Sequence, residues 1–119
     1  SKTGNRMEQM KQIFDGVNHP NFKLMIDLTA MSVAGESIQD WFDLFGKENI
    51  PHAHFQDCNP YGHYIWGEGT RNLRADLETM VKNGYEGYFT QELTMPEYYL
   101  NPFEYDKKNV KNLKMYMEG

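Results

Sequence analysis

Phe22-Lys23-Leu24-Met25-Ile26-Asp27-Leu28 is a short apolar run with a carboxylate near its end, and it reads as a buried strand. Two further strand candidates follow. Ile50-Pro51-His52-Ala53-His54-Phe55-Gln56-Asp57 is the second, and Tyr85 to Leu93, rich in Tyr and Phe, is the third. Helical patterns occupy the stretches around them. Met7, Met10, Ile13, Phe14 and Val17 fall at helical spacing until Gly16 and His19-Pro20 end the pattern. Ser37 to Phe45 carries Ile38, Trp41, Phe42, Leu44 and Phe45 as an apolar helix face, with Gly46 as a natural stop. Asn72 to Asn83 is a third helix closed by Gly84, and Tyr105 to Met117 is a fourth with lysines outward. Asn59 to Gly69 reads as a long turn-rich loop bearing Tyr64 and Trp66. The order αβαβαβα predicts an α/β fold with parallel strands joined by helical crossovers and helices outside the sheet.

The chain has 119 residues, 39% hydrophobic and 24% charged, which is material for one domain. No linker, solenoid-length repeat or low-complexity segment divides it. The net charge of -5 argues against nucleic acid or an anionic membrane as partner. The single cysteine, Cys58, excludes an internal disulfide and fits a reducing compartment. No apolar run approaches the roughly 18 residues that span a bilayer, and the first residues have no apolar segment behind them. A cytoplasmic location is therefore expected.

Polar groups gather at the C-terminal ends of the three strands. Asp27 ends the first, His54 and Asp57 lie near the end of the second, and Glu92 lies near the end of the third. Ligands bind at this edge in parallel α/β proteins. Each residue also has an ordinary explanation. Asp27 could cap a helix, and His52 or His54 could be a hydrogen-bonded core histidine. Glu92, in an aromatic strand, is the hardest to explain structurally, because a buried carboxylate needs a compensating partner. Together they form a mixed N/O donor set suited to Mn, Co, Zn or Mg. His54 is nearer the C-terminal edge than His52, so His54 is the expected ligand and His52 a packing residue. Gly67-Glu68-Gly69 before a helix could cradle phosphate, although a plain tight turn is the commoner outcome. Asn59-Pro60-Tyr61-Gly62 is an ordinary turn signature. The methionines read as core filler, and Cys58 beside Asp57 is a poor nucleophile.

Four segments in order carry a resemblance. They are Asp27-Leu28-Thr29-Ala30-Met31-Ser32-Val33-Ala34-Gly35-Glu36, His52 to Asp57, Gly62-His63-Tyr64-Ile65-Trp66-Gly67-Glu68-Gly69, and Gly84 to Tyr88 leading to Glu92. The set resembles the xylose isomerase-like TIM barrel superfamily, and within it the sugar and sugar-phosphate epimerases of the tagatose 3-epimerase and fructoselysine 3-epimerase type. The resemblance implies that residues 1–119 are the C-terminal part of a (β/α)8 barrel: the fifth helix, then the sixth, seventh and eighth strands with their helices. It implies a divalent metal, manganese first, with Asp27, His54 and Glu92 matching three of four ligands. A fourth, a glutamate, is expected just before residue 1. It further implies a metal-dependent ketose or ketose-phosphate isomerase or epimerase acting through a cis-enediolate, with Glu92 as catalytic base. Trp66 and Tyr64 would wall the sugar pocket and His63 would contact substrate.

There are departures. Ala30 stands where many relatives have His. His63 stands where sugar epimerases often have Arg and where the endonuclease IV type has a zinc-binding His, whose accompanying Asp is replaced by Tyr61. A trinuclear zinc cluster is therefore not expected. The alternatives are a zinc phosphodiesterase of the endonuclease IV type and a non-catalytic half-barrel that self-associates. Three parallel strands cannot close a barrel of eight. An apolar inner face with Met25, Ile26, Phe55 and Phe89 would remain open, so a homodimer or higher oligomer is expected.

Overall fold

A computed structural model describes residues 2–118, with side chains from Arg6 onward. Helix α1 (Lys2–Val17) leads into strand β1 (Met25–Asp27), then helices α2 (Leu28–Ala34) and α3 (Ile38–Phe45). Strand β2 (His52–His54) follows, then strands β3 (Asp57–Asn59) and β4 (Tyr61–Tyr64), helix α4 (Leu73–Lys82), strand β5 (Tyr88–Thr90) and helix α5 (Pro102–Glu118). Short 3-10 turns occupy Lys47–Asn49 and Pro96–Leu100.

Strands β1, β2 and β5 form one parallel sheet with β2 in the centre. The helices between them make this an α/β partial barrel, as the alternation of patterns predicts. In-register parallel partners share a face. Ile26, Ala53 and Phe89 therefore point one way, where Ile26 and Ala53 are fully buried in the main apolar cluster. Met25, Asp27, His52, His54, Tyr88 and Thr90 point the other way. The expected apolar inner face is thus corrected. Ile26, Phe55 and Phe89 belong to the core on the helix side, and the open face carries polar groups, Met25 and Tyr88.

Helix α3 forms where its sequence says it should. Ser37 accepts from the Asp40 N–H at its start, and Gly46 ends it at φ 81. Its Ile38, Trp41, Phe42 and Phe45 are buried in the main apolar cluster, and each such side chain contributes about 1.5–3 kcal/mol. Helix α2 and the β3–β4 hairpin depart from the sequence reading. Asp27 caps α2 through the Ala30 N–H, and Gly35 closes it at φ 71. The second strand is broken after His54, and Asp57 begins an antiparallel pair with Tyr64 instead. Residues 59–69 are therefore only partly loop. Among the described residues no helix is long and apolar enough to cross a membrane.

Candidate metal centre

The C-terminal ends of β1 and β2 and the segment after β5 meet at one edge of the open face. Asp27 ends β1 with its side chain divided between two tasks. Its Oδ1 accepts the Ala30 N–H at 3.0 Å, and its Oδ2 lies 3.5 Å from His54 Nδ1. The helix cap and the site residue are the same group. Gln56 and Thr29 hold it in place: Gln56 Nε2 donates to Asp27 Oδ1 at 3.4 Å and to Thr29 Oγ1 at 2.9 Å. Nothing in the local sequence pattern marks Gln56 or Thr29 for this positioning.

His54 Nδ1 lies 3.2 Å from Glu92 Oε2, and His63 Nδ1 lies 3.2 Å from the same oxygen. Asp27, His63 and Glu92 each offer one ligand atom within 4.8 Å of the others. Both Nδ1 atoms are buried and neither has a hydrogen-bond partner, despite the nearby carboxylates. Distance is satisfied but N–H···O direction is not. His63 Nδ1 shares the 4.8 Å group with Asp27 and Glu92, whereas His54 meets the two carboxylates pairwise and lies outside that group. A buried nitrogen left unpaired is costly, and a divalent ion among these donors removes that cost. The residues present fit a divalent metal. His52 lies apart from the carboxylates: its Nε2 contacts Thr90 Oγ1 at 2.7 Å and its ring packs edge-on against His54.

The hairpin that delivers His63 has a structural anchor. Asp57 is buried and accepts backbone N–H bonds from Cys58, Gly67, Gly69 and Arg71. Asp57 is therefore a loop anchor, away from the metal-ligand group. Of the Gly67-Glu68-Gly69 amides, considered above as a phosphate cradle, those of Gly67 and Gly69 already hold this carboxylate, and the Glu68 N–H donates to the Ile65 carbonyl. Arg71 pairs with Asp76 through two bonds of 2.7 and 2.9 Å. Burial alone would lower the Arg71 guanidinium, but the Asp76 carboxylate overrides it and holds it raised.

Trp66 is corrected. It is fully buried, its indole N–H donates to the Phe55 carbonyl at 2.7 Å, and its ring packs against Phe55 and Tyr116. A fully buried ring has no face left for a sugar. Tyr64 is half-buried on β4 next to His63, and Gly62, at φ 73, brings the strand close to the Tyr64 ring and to Met95. Cys58 is buried, with its Sγ 3.3 Å from Ser32 Oγ.

Residues 1–116 match the family model described as Xylose isomerase-like TIM barrel. The chain is also 37% identical over 79 residues to fructoselysine 3-epimerase from Escherichia coli O157:H7 and to that from Shigella flexneri. The match covers 65% of this chain but 28% of each relative, so the chain spans well under two thirds of the curated relatives it matches. No solved structure matches it. Parallel strands backed by helices on one side, open on the other and matched over residues 1–116, are a portion of a closed barrel, and the chain belongs to the xylose isomerase-like TIM barrel family.

Proposed function

We propose that this chain is part of a cytoplasmic, metal-dependent sugar or sugar-phosphate isomerase or epimerase that moves a proton on the carbon beside a ketose carbonyl. The observation that carries the reading is the meeting of Asp27, His54 and Glu92 at one edge of the sheet, with 3.2–3.5 Å between His54 Nδ1 and the two carboxylates. The similarity to 3-epimerases acting on fructoselysine supports the reaction type. Asp27, His54 and Glu92 would hold the ion. A divalent ion, manganese first with Co, Mg or Zn as alternatives, would polarise the substrate carbonyl and stabilise the charge of a cis-enediolate.

The rest falls to the protein. The Glu92 side chain is 40% exposed, so it touches the donor cluster and still reaches the open face where a substrate would lie. On this reading Glu92 serves one face of the substrate, removing the proton there in one direction of the reaction and delivering it there in the other, and general-base catalysis of this kind contributes roughly 10²–10⁴-fold. Epimerisation needs a second proton carrier on the opposite face of the substrate. The resemblance implies a glutamate upstream of this sequence for that role, and the isolated chain is proposed to be inactive. Tyr64 is proposed as a wall of the substrate pocket. Asp27 and Gln56 fix the donor geometry through the start of α2.

The test is exchange of solvent deuterium into a panel of ketoses and ketose phosphates, fructoselysine included. It uses the full-length protein containing this sequence, with Mn²⁺. Wild type is expected to wash deuterium into one carbon, and Glu92→Gln to lose this by roughly 100-fold or more. Wash-in that survives the substitution overturns the role of Glu92.

A further inference from the structure

We propose that Arg71 is a positioning residue for the metal centre: its guanidinium holds helix α2, and through α2 the Asp27 carboxylate, in place at the donor cluster. The inference rests on the metal-centre reading above and adds a residue outside the donor set. Arg71 lies just before α4, and its side chain is only 18% exposed. Its planar fork is divided between two elements. Nε and Nη2 both donate to Asp76 on α4, which fixes the plane of the group. Nη1 donates instead to α2, to Ser32 Oγ at 2.5 Å and to the Leu28 carbonyl at 3.5 Å.

Helix α2 needs such a hold. It has seven residues, and isolated helices shorter than about 12–15 residues are marginal in water. Leu28 and Met31 are buried and attach α2 to the core, but apolar contact is non-directional. Leu28 and Ser32 stand one turn apart on one side of the helix, so a guanidinium that reaches both resists sliding and rotation. Leu28 directly follows Asp27, whose Oδ1 caps α2 at the Ala30 N–H. A shift of α2 is therefore a shift of the carboxylate whose Oδ2 lies 3.5 Å from His54 Nδ1. The Arg71 N–H is itself held, 3.2 Å from Asp57 Oδ1, on the carboxylate that anchors the hairpin. One residue thus ties the mount of Asp27 to α4 and to the hairpin before any ion binds. A lysine has a single ammonium and lacks the fork that serves Asp76 and α2 together.

The experiment compares Arg71→Lys, Ser32→Ala and the double variant in the full-length protein containing this sequence. Zn²⁺ is titrated against a chelating dye, Co²⁺ absorption is a second readout, and urea midpoints measured alongside separate positioning from stability. Each single variant is expected to weaken Zn²⁺ binding by roughly 10–100-fold, as for other groups that orient a ligand, and to alter the visible Co²⁺ bands. The double variant should lose no more than the larger single loss, because both substitutions break one contact. In the metal-free wild type the Ala30 N–H should exchange slowly with solvent, a measurement that needs no variant. Wild-type Zn²⁺ affinity and Co²⁺ spectrum in the folded variants, whatever their urea midpoints, overturn the inference and leave the metal centre standing. Fully additive losses, or an Ala30 N–H that exchanges freely before metal is added, overturn it too. A folded wild type that binds neither ion overturns both readings.

Discussion

Asp57 and Glu92 are both carboxylates near the site edge, and their surroundings separate their roles. Four backbone N–H groups converge on Asp57, which is 1% exposed, whereas Glu92 keeps 40% of its side chain open and faces two histidines. Asp57→Ala would leave those donors unpaired. The expected cost is about 3 kcal/mol or more, read as a lower urea midpoint. Because the same carboxylate ties down the hairpin that carries His63, Zn²⁺ affinity should fall with it. A destabilised variant that keeps full metal affinity would show that the hairpin holds its shape without this anchor. Gly69 is required next to it for a plain steric reason. A Cβ there would lie 2.5 Å from Asp57 Oδ1 and 2.6 Å from the Cys58 carbonyl.

At the scale of elements, the joint between β4 and the 3-10 turn at Pro96–Leu100 depends on one buried hydroxyl. Tyr98 accepts the Ile65 N–H at 3.1 Å and donates to Glu68 Oε1 at 3.0 Å. Burial first, and the Glu68 carboxylate in addition, push its hydroxyl up to about 12. The folded state therefore keeps this proton to higher pH than the unfolded chain does. Its contribution to stability is complete below the ordinary tyrosine range near pH 10 and is lost as pH rises toward about 12. Urea midpoints measured across pH 9–12 should fall through that window. Tyr98→Phe should flatten part of the fall while costing about 1–2 kcal/mol at neutral pH for the stranded Ile65 N–H. Strand β5 has a comparable weak point. A Cβ on Gly87 would stand 2.1 Å from the Pro51 carbonyl, the group that receives the Tyr88 N–H. Gly87→Ala should loosen β5 from β2 and lower thermal stability. An unchanged melting temperature would mean that the strand can shift without loss.

Taken as a molecule, this is a sheet with two free edges, at β1 and β5, and one open face. Tyr99, Leu100 and Phe103 add apolar side chains that are 67–87% exposed. The open face itself is largely polar, so association, if it occurs, would be driven by the strand edges and by this patch rather than by an apolar barrel interior. Self-association of the 14.0 kDa chain is the expected outcome. Light scattering at micromolar concentration should report at least a dimer, and Leu100→Asp with Phe103→Asp should reduce it. A folded wild-type monomer would mean that the edges are tolerated.

Local pattern was enough for the alternation of strands and helices, because burial on both faces and a 3.6-residue period leave their marks within a few neighbouring residues. It was enough also to single out Asp27, His54 and Glu92, since each follows directly from its place at a strand's end. Tertiary structure alone decided the rest. Residues 57–64 have no alternating apolar pattern, and their hairpin is held by Thr29, Thr94 and the Asp57 carboxylate. The tether from Thr29 to Gly62 spans 33 residues, beyond the reach of any local period. His63 enters the donor group through that hairpin. Trp66 leaves the pocket for the core because Tyr116, on the last helix, closes over its ring. The open face is polar because pairing in register puts Ile26, Ala53 and Phe89 together on the helix side, a choice that only strand pairing makes.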